Sequence, residues 1–300
     1  TAFWEVATAC LVDRRAQHAA FGEFSTKFAQ ATTRAPFLEN PQIVSAEAGS
    51  VALLSPMDDD GSPVDVYATP HNETSTGAMI TPTRVAPADT ALTLIDATSG
   101  AGGLPVDISQ TDVYYFSPQK AFASDGGLWI AIASPAAIDR AARIEGGAPG
   151  STRWVPEFLS FTTAHANSVK DQTLNTPAVA TLIMFAEQID WMLAGGGLDW
   201  TVARSQESAD ILYQWAESRP WSTPFVADPA HRSTVVGTID LDASIDAAQV
   251  VKTLRDNGIL DVFPYRKLGR NQLRIGMFPA IDPSDIQKLT QAIDYTIDNM

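Results

Sequence analysis

The sequence predicts an α/β protein with a mostly parallel central sheet sandwiched by helices, followed by a smaller C-terminal α+β domain. Two observations predict the first part. Short apolar runs typical of buried strands occur through the first two thirds of the chain, and helical patterns lie between several of them. A third observation predicts the second part, because a Gly-rich segment at residues 194–197 precedes a further set of helices and strands.

The apolar runs predicted as strands occupy residues 17–21, 43–46, 64–68, 91–96, 113–116 and 128–133. Helices are predicted between some of these strands, at residues 23–31 and 135–143. A long helix is predicted over residues 177–193, because Asn175 and Thr176 would cap it and proline suits the first turn.

The glycines of residues 194–197 end the long helix and mark the predicted domain boundary. Residues 1–194 would form a large domain and residues 195–300 a small one. The small domain is predicted to contain helices at residues 198–217, 245–257 and 283–299, and strands at residues 234–240 and 272–278.

Composition restricts the partners of the chain. Its 300 residues can bury a large core, and its formal net charge of -15 argues against nucleic acid or an anionic membrane surface. A small anionic ligand responds to the local charge of its pocket and stays possible. The most apolar stretch, residues 177–193, contains Glu187, Gln188 and Asp190, so no membrane span is expected and the protein is predicted to be soluble.

Cys10 is the single cysteine, so no intrachain disulfide can form and the composition fits a reducing compartment, the cytoplasm. Cys10 lies in an apolar helical pattern, which favours a buried structural thiol over a catalytic one. No metal ion is expected.

Two residues in the first two thirds of the chain combine into a possible catalytic pair. Asp96 ends one predicted strand and Lys120 follows the next, so both would point into the crevice where such sheets bind ligands. By itself this pair is weak evidence, since a solvated or ion-paired lysine is the default. Pyridoxal phosphate, however, needs a lysine amine to hold it as an imine and an acid to keep its ring nitrogen protonated.

Four separated blocks extend this pattern. They are Asp-x-x-Ser-x-x-Gly-Gly-x-Pro at residues 96–105 with Ser-Pro-Gln-Lys at residues 117–120, His-Asn-Glu-Thr at residues 71–74, Asn-Thr-Pro at residues 175–177, and the basic segment at residues 265–274. Together they resemble the phosphoserine aminotransferases, a class-V branch of the fold-type-I enzymes that use pyridoxal phosphate. The resemblance covers nearly the whole chain.

The resemblance implies cofactor roles for single residues. Lys120 would hold the cofactor as the internal Schiff base, Asp96 would pair with its pyridine nitrogen, Thr74 would bind its phenolic oxygen and Gln119 its phosphate. Phe24 stands where the family usually has a tryptophan that stacks on the ring. The residues alone favour a turn residue for Thr74 and a core aromatic for Phe24.

The resemblance also implies a homodimer with the active site at the subunit interface. Asn175 and Thr176 would reach the cofactor phosphate held by the other subunit, although a simple helix cap is the alternative. Substrate binding would rest on the basic segment, where Arg274 would clamp the α-carboxylate and Arg266 would bind the substrate phosphate. Tyr265 replaces a histidine found in some family members, which leaves its own role open, as for Lys267 and Arg270.

The implied activity is reversible transamination between L-glutamate and 3-phosphohydroxypyruvate in L-serine biosynthesis, with a possible second substrate, 4-phosphohydroxythreonine, in vitamin B6 synthesis. The substrates are small anions. The alternatives are an alanine-glyoxylate or serine-pyruvate aminotransferase of the same fold, or a non-catalytic scaffold. The family also has a Gly-rich phosphate turn and an arginine-bearing loop that are expected before Thr1, so we expect the N-terminal part of the large domain to be missing.

Overall fold

The computed structural model describes residues 1–56, 63–87, 89–147 and 153–300. The described helices are α1 (Ala2–Cys10), α2 (Glu23–Thr33), α3 (Pro135–Glu145), α4 (Phe161–Ser168), α5 (Val179–Gly195), α6 (Gly197–Glu217), α7 (Ala247–Asp256) and α8 (Pro283–Asp298). The described strands are β1 (Ala16–Ala20), β2 (Gln42–Ser45), β3 (Val66–Pro70), β4 (Asn72–Glu73), β5 (Ala78–Met79), β6 (Leu92–Asp96), β7 (Val113–Phe116), β8 (Ile130–Ala133), β9 (Ser222–Pro224), β10 (Val236–Leu241) and β11 (Gln272–Gly276).

The central sheet has the strand order β2-β1-β3-β6-β7-β8. All its neighbouring pairs are parallel except β7 with β8, so the predicted mostly parallel sheet is confirmed. Each of the six predicted strands is present. Every residue of β1, β3 and β7 is buried, as expected for strands covered on both faces.

Helices α1, α2 and α3 contribute to the core of this sheet together with β1, β3, β6 and β7. The ring of Phe3 in α1 stacks on Tyr115 of β7, with 4.2 Å between ring centroids. Cys10 is buried in the same core and is a free thiol, as the apolar pattern predicted. Packing of α1 against the sheet therefore places the first turn of α1 close to the carboxyl ends of β6 and β7.

The C-terminal part contains an antiparallel sheet of order β11-β10-β9 that packs with α6, α7 and α8. Its buried residues form their own hydrophobic cluster, which includes Leu212, Ile239 and Leu273. The short strand β9 was not predicted from the sequence. The division into domains at residue 194 stays a prediction.

The predicted start of the long helix was wrong by two residues. Helix α5 begins at Val179, and Ala178 is the residue before its first turn, with the hydrogen bond from Leu182 N to Ala178 O at 3.1 Å. No described side chain caps this end, so Asn175 and Thr176 are not its caps. A helix start without a capping side chain is weakly specified by local sequence. None of the described helices is long and apolar enough to cross a membrane.

Candidate active site

The residues predicted to carry chemistry lie at the carboxyl ends of neighbouring parallel strands. Asp96 is the last residue of β6 and pairs with Pro70 of β3 and Tyr115 of β7. Lys120 follows the end of β7 by four residues, and Thr74 lies in the turn between β4 and β5. Ligands bind at this edge in open α/β sheets, so the topology brings the three residues to one place.

A cavity of about 680 Å³ opens at this edge and extends toward the C-terminal sheet. Thr74, Lys120 and Arg274 supply polar groups to its wall near the strand ends. Much of the remaining wall is apolar and includes Val236 and Phe278. The cavity therefore joins a lysine from the large sheet to an arginine from β11.

Lys120 is half-buried, and its Nζ lies 5.9 Å from the centroid of the Phe278 ring. Burial lowers the pKa of the Lys120 amine below its ordinary value, and the nearby positive charge of Arg274 lowers that pKa further. A lower pKa increases the fraction of Lys120 that is present as the neutral amine near neutral pH. Lys120 is therefore suited to act as a nucleophile and as a proton carrier.

Arg274 is partly buried and is held from two sides. Its Nη1 donates to the backbone oxygen of Thr74 at 3.3 Å, and its guanidinium lies 5.4 Å from the centroid of the Tyr265 ring. Burial lowers the pKa of Arg274, with the Tyr265 hydroxyl acting in the opposite direction. A guanidinium in such a cavity matches a carboxylate through two parallel hydrogen bonds.

The Asp96 carboxylate accepts three hydrogen bonds. Nε1 of Trp4 donates to Oδ2 at 2.8 Å, while the backbone N and Oγ1 of Thr98 donate to Oδ1 at 3.0 and 2.6 Å. The buried hydroxyl of Tyr115 also interacts with this carboxylate. Sequence reasoning missed Trp4, which lies 92 residues from Asp96, and no local spacing signals that contact.

The Thr74 side chain belongs to a network of polar groups. Its Oγ1 donates to Oγ of Ser99 at 2.7 Å, and Ser99 in turn hydrogen-bonds to the side chain and the backbone oxygen of Asn72. This network joins the block at residues 71–74 to the block that begins at Asp96. Hydrogen bonds thus join two motifs that are separate in the sequence.

Gly77 closes the turn that carries Thr74. Its φ is +74°, and a Cβ there would lie 2.8 Å from the backbone oxygen of Val236 in β10. Oγ1 of Thr238 also donates to the backbone oxygen of Thr76 at 2.7 Å. Only glycine fits both the backbone conformation and this close contact. The turn that contains Thr74 therefore packs directly against the C-terminal sheet.

Other predicted cofactor residues lie farther from the cavity wall. Phe24 is the second residue of α2, is partly buried, and lies 5.8 Å from the Tyr265 ring, centroid to centroid. Gln119 is exposed, as are Asn175 and Thr176. None of these four is among the residues that line the cavity, so their cofactor roles stay predictions.

The four cations of the basic segment separate into different environments. Lys267 forms a salt bridge with Glu23, and Nε of Arg270 donates to both Asp240 oxygens at 3.1 Å. These two side chains are exposed, as is Arg266, which makes no ion pair within the described part of the chain. Arg274 alone of the four lines the cavity.

The site fits pyridoxal 5′-phosphate by the chemistry of its donors. A cavity of suitable size contains a lysine amine with a lowered pKa, and the Asp96 carboxylate, which does not itself line the cavity, ends the strand next to β7 as an acceptor for a ring N–H. Lys120 and Asp96 would hold the cofactor, with Thr74 at its side.

Comparison with known proteins agrees with this geometry. The family model "Aminotransferase class-V" matches residues 60–260. The chain is 58% identical over 298 residues to a phosphoserine aminotransferase of Corynebacterium glutamicum, covering 99% of this chain and 77% of the relative. A phosphoserine aminotransferase of Cytophaga hutchinsonii superposes with a TM-score of 0.86 at 20% identity, covering 98% and 80% of the two chains. The phosphoserine aminotransferase of Trichomonas vaginalis, solved with the cofactor bound, superposes with a TM-score of 0.75 at 16% identity, covering 97% and 78%.

The fold and the site define a class-V aminotransferase of the fold-type-I group, which uses pyridoxal 5′-phosphate. Within that class the chain belongs to the phosphoserine aminotransferase family.

Proposed function

We propose that this chain catalyses reversible transfer of an amino group between L-glutamate and 3-phosphohydroxypyruvate, which gives 2-oxoglutarate and O-phospho-L-serine. The observation that carries the proposal is the placement of Lys120 and Arg274 in one cavity, in a member of this family whose strand β6 ends in Asp96 at the same edge of the sheet. Transamination of an amino acid requires a lysine amine that holds the cofactor and a cation that binds the substrate carboxylate. The single thiol fits a cytoplasmic enzyme of L-serine biosynthesis.

Each residue has a distinct task in this reaction. When bound, pyridoxal 5′-phosphate supplies a ring that disperses the negative charge left by removal of the substrate α-proton. Asp96 would accept a hydrogen bond from the protonated ring nitrogen. Lys120 would hold the cofactor between turnovers. Once the substrate has displaced Lys120 from the cofactor, its amine would carry the α-proton. Arg274 would bind the substrate α-carboxylate and orient the α-carbon toward Lys120.

Substrate choice would rest on Arg266, one of the three exposed cations of the basic segment. We propose that Arg266, which makes no ion pair within the described residues, binds the phosphate of phosphoserine. Arg270 is a matched control, because it is exposed in the same segment and is already paired with Asp240. Replacement of Arg266 by Ala should raise the KM for phosphoserine much more than Arg270→Ala does, with little change in the KM for L-glutamate.

We further propose a homodimer in which Asn175 and Thr176 serve the partner's site. The exposed apolar side chains of α5 support it, since such a surface is typical of an interface; they include Val179, Ile183, Trp191 and Leu193. Asn175 and Thr176 precede this helix and lie outside the cavity of their own chain. Pyridoxal phosphate would then be bound by both subunits.

Mixing two defective variants tests the shared site. Lys120→Ala should be inactive and Asn175→Ala weakened when each is assayed alone. After unfolding and refolding together, about half of the dimers should be hybrids with one intact site, so about a quarter of all sites should recover. Activity equal to the average of the two separate variants would place Asn175 in its own chain's site.

The first test of the main proposal is an absorption spectrum between 300 and 500 nm. The protein incubated with pyridoxal phosphate should show a visible band that phospho-L-serine shifts to the near ultraviolet, with L-serine much weaker. Lys120→Ala should lose the parent band, whereas Lys252→Ala, an exposed lysine paired with Asp256, should keep it. A stronger response to unphosphorylated amino acids would favour an alanine-glyoxylate or serine-pyruvate enzyme, and no cofactor band would refute the catalytic proposal.

A further inference from the structure

A fully buried carboxylate lies between two residues that are predicted to contact the cofactor. Glu73 is 0% exposed and directly precedes Thr74. Its carboxylate accepts five hydrogen bonds from uncharged donors: the backbone N of Phe24 (3.3 Å), the backbone N of Ser25 (2.9 Å), Oγ of Ser25 (2.7 Å), the backbone N of Ser75 (3.2 Å) and Oγ of Ser75 (2.7 Å). Donors come from α2 and from the turn of Thr74 alike.

These bonds cap the start of α2. The residue before the helix is Gly22, which has no side chain to satisfy the free N–H groups of the first turn. Glu73 satisfies two of them, those of Phe24 and Ser25, and Oγ of Ser75 accepts from the N–H of Glu23 at 3.0 Å. Negative charge at a helix N-terminus is also favourable to the helix dipole.

Close packing makes the cap rigid. A Cβ on Gly22 would lie 2.3 Å from Cγ of Glu73 and 2.6 Å from Oγ of Ser75, so no larger residue fits there without displacing Glu73. The backbone of α2 therefore sits directly on the 73–75 turn. Movement of one of these segments must move the other.

We propose that Glu73 is a positioning residue that couples the Phe24 ring to the Thr74 turn, so that one buried carboxylate sets two contacts of the cofactor at once. This inference rests on the proposed function through the cofactor roles of Phe24 and Thr74. It goes beyond that function because Glu73, which does not line the cavity, would set the positions of Phe24 and Thr74.

Glu73→Gln is the test, because glutamine keeps the volume but replaces one acceptor oxygen by an NH₂ group that faces N–H and O–H donors. Without cofactor, amide exchange of residues 23–26 should accelerate about tenfold, which corresponds to the loss of roughly one hydrogen bond. The Kd for pyridoxal 5′-phosphate, measured by titration of the apoenzyme, should rise about tenfold or more.

Glu145→Gln is the matched control. The Glu145 carboxylate also accepts from the start of α4, from the backbone N of Thr162 at 3.0 Å and from its Oγ1 at 2.7 Å, beside the cap that Ser160 gives this helix. Neither Glu145 nor Thr162 is next to a predicted cofactor contact, and neither lines the cavity. This variant should accelerate exchange only at the start of α4 and keep the parent Kd for the cofactor. A merely structural role of Glu73 would make the two variants alike.

Faster exchange in Glu73→Gln with a parental Kd for the cofactor would overturn the proposal, and so would parental exchange at residues 23–26. If Glu73→Gln does not fold, Ser75→Ala removes one donor to Glu73 and the acceptor of the Glu23 N–H, and it should change both measurements in the same direction. Parental values in both measurements would overturn the proposal. If the parent protein itself binds no cofactor, the proposed function fails, and exchange at residues 23–26 still decides whether Glu73 couples α2 to the turn.

Discussion

Trp4→Phe should separate the orientation of Asp96 from the stability of the fold. The indole N–H of Trp4 donates to Oδ2 of Asp96 at 2.8 Å, while Thr98 holds Oδ1. Loss of a hydrogen bond to a charged group costs about 2 kcal/mol, and the smaller ring adds about 1 kcal/mol from lost packing. We expect the free energy of unfolding to fall by about 3 kcal/mol.

The effect on activity follows from the freed oxygen. Without the Trp4 donor, Oδ2 of Asp96 loses its indole partner and Thr98 still holds Oδ1, so the carboxylate can turn about its Cβ–Cγ bond away from its parental orientation. A catalytic group displaced by a fraction of an ångström reduces kcat/KM by roughly tenfold, equivalent to about 1.4 kcal/mol. The assay is steady-state transamination of phospho-L-serine, run beside urea unfolding of the apoenzyme.

Trp215→Phe is the control for this experiment. Trp215 is as buried as Trp4, and its Nε1 donates to Oδ1 of Asp294 at 3.0 Å in the C-terminal part. Both variants lose an indole-to-carboxylate hydrogen bond and should lose similar stability, but only Trp4→Phe should lose kcat/KM. Parental kcat/KM in Trp4→Phe, despite its lower stability, would refute the reasoning that Trp4 orients Asp96.

Three further predictions test the cavity and the core. Arg274→Lys should raise the KM for L-glutamate tenfold or more, roughly, because a lysine cannot make the two parallel bonds of a guanidinium; an unchanged KM in steady-state assays would exclude Arg274 as the carboxylate clamp. Burial raises the pKa of the Cys10 thiol to about 12, so a thiol reagent at pH 8 should label the native protein only when local unfolding exposes Cys10. In denaturant the same reagent should label one thiol per chain. Burial lowers the pKa of His18 and of His71 to about 3, below the ordinary 6.5, so the unfolded state binds more protons between these values and stability falls as pH drops through that window. From pH 7 to pH 5 the two histidines together should cost about 4 kcal/mol in urea unfolding, and a His18→Gln variant should lose about half of that pH dependence.

Local sequence predicted the strands of the large sheet and the acid and lysine near their ends. Each of the six strands of the large sheet was predicted from a short apolar run, because a strand buried on both faces needs apolar side chains throughout. Asp96 and Lys120 were predicted from their positions at strand ends, since parallel strands bring their carboxyl ends to one edge. The helix start at Val179 was missed, because no side chain near it caps the helix.

Resemblance to a family supplied the roles of Thr74 and Arg274, and the structure places both in the cavity of Lys120. The paired states of Lys267 and Arg270 were left open by the sequence. Their carboxylate partners lie 244 and 30 residues away, and a charge run does not indicate which of its members is paired.

The sequence by itself determined the class of fold and the family of the protein, and it predicted the lysine and the acid of the site. The tertiary structure alone decided what holds those groups in place. Trp4 reaches Asp96 across 92 residues and Glu73 reaches α2 across 49, and such contacts leave no periodic signal along the chain. The physical reason is that hydrogen bonds to a buried carboxylate are satisfied by whichever donors folding brings near, whatever their separation in sequence.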